Sequence, residues 1–171
     1  MERAIEHRPR GNWPADAAGD SVTLDFHDRH RRRIRLATDG GNAVLLDLPK
    51  AIAMADGDGL KTEAGAWIAV RAAPEALLDI TADDSHHLIR LAWHLGNRHI
   101  PAEIDAARIR IRPDHVIAEM LRGLGGRVVE VTAPFQPESG AYAGTGAGDV
   151  HDHGHGHEHH HGDGHDHGHG H

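Results

Sequence analysis

Apolar residues, often at every second position, mark residues 21–27, 32–37 and 43–48, and Asp39-Gly40-Gly41-Asn42 supplies a tight turn between the last two. Short strands joined by turns are expected. A second turn signal, Asp56-Gly57-Asp58-Gly59, precedes a strand candidate at residues 60–63, and Ala-Trp-Ile-Ala-Val-Arg over residues 66–71 is another. Pro74 then marks a module boundary. Residues 21–73 therefore read as a β-rich N-terminal domain, preceded by a flexible extension over residues 1–20.

The pattern changes beyond residue 74. Residues 76–81 read as a strand and residues 83–95 as a helix, opened by Asp83 or Asp84 as N-cap and ended by Gly96 and Asn97, both of which tolerate positive φ. Ile104 and residues 109–112 suggest two short strands. Pro113 suits a first helical turn, Asp114 favours the N-terminal dipole, and Val116, Ile117, Met120, Leu121 and Leu124 form a helical stripe before Gly125-Gly126. A strand over residues 127–132 completes a β-α-β-β-α-β order, so residues 74–135 are expected to be a ferredoxin-like domain and the fold class α+β.

Composition adds the chemistry. The chain has 19 His and no Cys, and residues 151–171 contain only His, Gly, Asp and Glu. Behind a linker at residues 136–150, that tail carries eleven imidazoles: His151, His153, His155, His157, His159, His160, His161, His165, His167, His169 and His171. Nothing in it is apolar, so burial cannot offset roughly 1–2 kcal/mol per residue of backbone entropy, and disorder without metal is expected. An expression tag would be an uninterrupted run, whereas the longest run here is the three residues His159-His160-His161. A natural metal-binding tail is the better account.

Imidazole with carboxylate suits Ni²⁺, Zn²⁺, Cu²⁺ and Co²⁺, and Cu⁺ is disfavoured without thiolates. The ligands alone do not select nickel, because the affinity series places Cu²⁺ above it. Absence of Cys also removes disulfide frameworks, zinc ribbons, iron–sulfur clusters and cysteine nucleophiles.

Net charge is −8, but Asp149, Asp152, Glu158, Asp163 and Asp166 lie in the tail region, and the remaining 21 acids and 18 bases leave −3. That balance argues against nucleic acid, and the short cluster Arg29-His30-Arg31-Arg32-Arg33 is expected to be a solvated strand and turn face. No apolar leader segment follows the charged first residues and no run reaches membrane-spanning length, so a cytoplasmic protein is the expectation. An enzyme is not expected either. There is no His-Glu-x-x-His, and Gly57-Asp58-Gly59-Leu60-Lys61-Thr62 lacks the glycine spacing of a phosphate loop, so GTP should not bind.

Eight histidines lie outside the tail: His7, His27, His30, His86, His87, His94, His99 and His115. His86 and His94 share a helix face with Arg90, whose charge would repel a metal. His99 follows the helix terminator, where a side chain projects from a rigid corner, and His115 lies in the first turn of the second helix.

The segments Leu95-Gly96-Asn97-Arg98-His99-Ile100-Pro101, Asp114-His115-Val116, Met120-Leu121 and residues 134–143 (Pro-Phe-Gln-Pro-Glu-Ser-Gly-Ala-Tyr-Ala) resemble, in order and spacing, the landmarks of UreE-type urease accessory proteins. Thr38-Asp39-Gly40, Leu48-Pro49, Asp56-Gly57-Asp58 and Val70-Arg71-Ala72-Ala73 are similar to that family's N-terminal domain, so the resemblance covers roughly residues 21–145. It implies a nickel metallochaperone that works with a urease accessory GTPase and the apo-urease complex. It also implies a homodimer, extending to higher oligomers with metal, in which His99 from each chain is the central ligand. Some members carry His-Asp-His where this chain reads Pro113-Asp114-His115, so only His115 carries over to a peripheral site, and weight shifts to the tail. A histidine-rich nickel or zinc storage protein is the alternative, which binding to a urease partner would discriminate.

Overall fold

A computed structural model of the chain describes residues 1–139. Six strands, β1 (Glu2–Arg8), β2 (Ala18–Leu24), β3 (His30–Ala37), β4 (Ala43–Ala53), β5 (Gly59–Thr62) and β6 (Trp67–Ala72), form a mixed sheet in the order β2-β6-β5-β1-β4-β3. Ala4, Val22, Leu36, Val44, Leu46, Leu60 and Val70, contributed by all six, are buried in one core.

The first residues are not a flexible extension. β1 lies inside the sheet, parallel to β4 and antiparallel to β5, with Ala4 fully buried. Its charged sequence conceals this because the charges have partners on neighbouring strands and turns: Arg3 reaches Asp47 at 2.6 Å and Glu63 at 2.7 Å, and His7 reaches Asp58 at 2.7 Å. Alternation is visible only once those pairs are known. β4 also runs past its expected end, and the β3–β4 register shifts across the stretch holding Pro49, which has no N–H for the ladder.

Asp58 organises the turn between β4 and β5. Its carboxylate accepts from the backbone N–H groups of Ala55 and Arg10 as well as pairing with His7 Nε2. Burial opposes its charge, yet the His7 contact and the two N–H groups together hold its carboxyl below the usual range. A carboxylate with a depressed folded pKa stabilises the fold above its unfolded pKa, and that contribution is lost as pH falls through the folded value. Asp58→Ala leaves these donors without their acceptor and is expected to cost about 2 kcal/mol, measured by urea unfolding at neutral pH. Gly59 is required by packing, since a Cβ there would lie 2.3 Å from the Trp13 ring.

The second sheet holds β7 (Pro74–Thr81), β8 (Ala102–Ile104), β9 (Ile109–Ile111) and β10 (Arg127–Pro134) in the order β10-β7-β9-β8. With α1 (Ser85–Gly96) after β7 and α2 (His115–Gly123) after β9, this is the ferredoxin-like arrangement. Leu88, Leu91 and Leu95 of α1 and Ile117, Ala118 and Leu121 of α2 pack on Leu78, Ile80, Ile109 and Ile111 of the sheet. Asp84 and Asp114 are the N-caps, accepting from His87 N at 2.8 Å and Ile117 N at 3.0 Å. Pro113 thus stands before the cap rather than in the first helical turn. Across the strands, Arg110 is opposite both Asp79 and Glu103, and donates to Asp79 at 2.6 and 3.0 Å.

Arg29 corrects the expectation of a solvated basic cluster. Arg32, Arg33 and Arg35 are exposed, but Arg29 is only 3% exposed. It donates to Met54 O at 3.1 Å, to Gln136 Oε1 at 2.5 Å and to Phe135 O. Phe135, itself fully buried, meets Phe26 edge-on with centroids 5.2 Å apart. Gln136 N donates to Glu103 and Glu138 N to Ala102 O, both at 2.8 Å. The expected linker is therefore tied down at its first residues. Its remainder and the expected disorder of the tail over residues 151–171 lie outside the described residues. Among those described, no helix is long and apolar enough to cross a membrane.

Candidate metal centre

α1 ends in a way that isolates one imidazole. The chain turns on through Asn97 and Arg98, His99 N donates to Gly96 O at 3.0 Å, and Ile100 N donates to Leu95 O at 3.2 Å. Those two bonds are the pair expected of a Schellman terminus, whose pivot residue is left-handed. The pivot here is His99, at φ 54°, the one non-glycine residue with positive φ among those described. Asn97, expected to hold that conformation, is right-handed at φ −63°, and Gly96 does not take a positive φ either. Ile100 then folds back against the core beside Leu95.

A left-handed conformation costs an L-residue roughly 1–2 kcal/mol, and glycine is the usual solution. A strained pivot carrying an imidazole is a pointer to function. His99 is exposed, so its imidazole is open to an ion from outside the chain.

His115, the first residue of α2, is exposed as well. Neither His99 nor His115 belongs to a group of three or more convergent His, Asp or Glu side chains among the described residues. Within one chain, therefore, neither has a ligand set of its own among those residues. The eleven tail histidines lie outside the described residues.

The other histidines divide by environment. His87 bonds Leu124 O through Nε2 at 2.8 Å, bracing α1 against the end of α2, and His7 is held by Asp58. His86 is exposed one turn from the exposed Arg90, and His94 lies edge-on to Trp93 with centroids 5.0 Å apart. Beside these lies an apolar feature not anticipated from the sequence. Ile89 and Trp93, one turn apart on α1, are 66% and 65% exposed, and Val116 next to His115 is 62% exposed. Helical spacing of Ile89 and Trp93 off the Leu88-Leu91-Leu95 stripe was the available signal.

Comparisons with known proteins agree with this architecture. Residues 2–73 match the model of the UreE urease accessory protein N-terminal domain, and residues 75–171 match that of the C-terminal domain. The chain is 53% identical over 152 residues to "Urease accessory protein UreE" of Bradyrhizobium sp. (strain BTAi1 / ATCC BAA-1182), covering 89% of this chain and 73% of that protein. It is 55% identical over 151 residues to the protein of that name from Rhodopseudomonas palustris (strain HaA2), covering 88% and 70%. Against the one from Agrobacterium fabrum (strain C58 / ATCC 33970) it is 49% identical over 152 residues, covering 89% and 93%. With both domains matched in order and half of the aligned residues identical, the chain belongs to the UreE family of urease accessory proteins.

Proposed function

We propose that this chain is a cytoplasmic metallochaperone that binds Ni²⁺ through histidines and donates it during assembly of the urease nickel centre. The observation that carries this reading is His99: an exposed imidazole on a left-handed helix terminus, in a family of urease accessory proteins. One imidazole is a poor nickel site, but a two-fold axis near it makes two. The exposed Ile89 and Trp93 on α1 support such a homodimer, because apolar side chains of this size in solvent gain from being covered by a second copy. Tail imidazoles from His151 to His171 then complete the shell, with His115 as a peripheral ligand.

A site assembled from two chains and a histidine-rich segment is easily dismantled, as delivery requires. Zn²⁺, Cu²⁺ and Co²⁺ suit the same ligands, so cellular availability and the receiving partners set the preference for nickel. Those partners are a urease accessory GTPase and the apo-urease complex. The test is urease activation at limiting nickel, with and without the protein. Activation that rises with the wild-type chain supports delivery, whereas metal binding with no gain in activation indicates storage.

A further inference from the structure

We propose a second divalent-metal site in the N-terminal domain, formed by Asp25, His27 and Asp28 in the loop between β2 and β3. One donor atom from each lies within 4.8 Å of the others. Two donors about 2.1 Å from one ion are no more than roughly 4.2 Å apart, so closing on an ion needs less than about 1 Å of movement. The loop is already shaped: Asp28 N donates to Asp25 Oδ1 at 2.8 Å and Arg29 N donates to Asp25 O at 3.0 Å. Its end is fixed by the buried Arg29 guanidinium.

The neighbouring cation does not block the imidazole. Arg31 Nη2 is 3.0 Å from both ring nitrogens of His27. An atom at that distance from both must lie over the ring face, because in the plane it would collide with the carbon between them. The in-plane lone pair stays clear of that nitrogen, which sits against the ring face. Nδ1 is then 3.4 Å from Asp28 Oδ1. His30, Arg31 and Arg112 line the adjoining hollow of about 260 Å³ with His27, and Arg31 Nε stands 3.9 Å from Asp28 Oδ1. The two carboxylates thus meet two guanidinium charges, and the site holds its ion by direct coordination rather than by a net negative field. One imidazole with two carboxylates, completed by water, fits a first-row divalent ion such as Ni²⁺.

This site extends the nickel-carrying reading to a second position on the chain. Its test is a two-dimensional amide NMR titration of the full chain with Ni²⁺, a paramagnetic ion, in excess over the tail histidines. Selective broadening of Phe26 to Arg29 that disappears in His27→Ala, with broadening around His99 retained, is the expected result. Absence of loop broadening in the wild-type chain, or its persistence in His27→Ala, overturns the site. Loss of broadening around His99 alone would instead count against the proposed core site and leave this one standing.

Discussion

His99→Gly is expected to give a protein that is more stable than the parent and has lost its core nickel site. Glycine at the left-handed pivot relieves roughly 1–2 kcal/mol of backbone cost, offset in part by its greater freedom when unfolded, for a net gain of about 0.5–1 kcal/mol. For a chain of this size that is a rise of a few degrees in melting temperature, of order 2–4 °C per kcal/mol. The two Schellman bonds use backbone atoms and survive the change. Core nickel affinity should fall at least about 100-fold, because two-fold symmetry removes both central imidazoles together. His99→Asn, which tolerates the left-handed region, should keep the stability and also lose the site. Thermal melting with calorimetric nickel titration checks both. A His99→Gly protein less stable than the parent would contradict the backbone account, and one that binds core nickel as the parent does would contradict the ligand assignment.

Arg29→Met is expected to be the most destabilising of the substitutions considered. The guanidinium, almost fully buried, satisfies carbonyls of Met54 and Phe135 and the side chain of Gln136, joining the N-terminal sheet to the segment that follows β10. Methionine fills similar space but leaves those acceptors without a donor, at an expected cost of about 3 kcal/mol. Arg29→Lys, with one compact head in place of a planar fork, should recover only part of it. Urea unfolding of the three proteins gives the ranking, and a loss below about 1 kcal/mol in Arg29→Met would show that the seam does not depend on this side chain.

These two residues also show what could be read from sequence and what could not. The ferredoxin-like order was legible because β7, α1 and α2 carry apolar residues at periods of two and nearly four, with Asp84 and Asp114 in capping positions. β1 was hidden, since its partners for Arg3 and His7 lie 44 or more residues away in sequence. Arg29 was misread for a related reason: a run of like charges says nothing about which member turns inward, and its acceptors at Phe135 and Gln136 lie more than 100 positions on. His99 stood out by its place after a helix terminator and by family motif. Its left-handed backbone was not legible, because Gly96 and Asn97 were the better candidates for that conformation by propensity. The Asp25, His27 and Asp28 grouping lay in plain view over four residues, but only the folded loop shows that their donors converge.

In the proposed core site one nickel ion is shared by two copies of His99, and stoichiometry measures that most directly. A chain lacking residues 145–171 keeps both hydrophobic cores. Calorimetric titration of it with Ni²⁺, alongside light scattering to fix the oligomer, should give a dimer with about one tightly held ion per two chains. One tightly held ion per chain, or undiminished tight binding when His99→Ala is added to the same truncation, would contradict a site shared across the dimer.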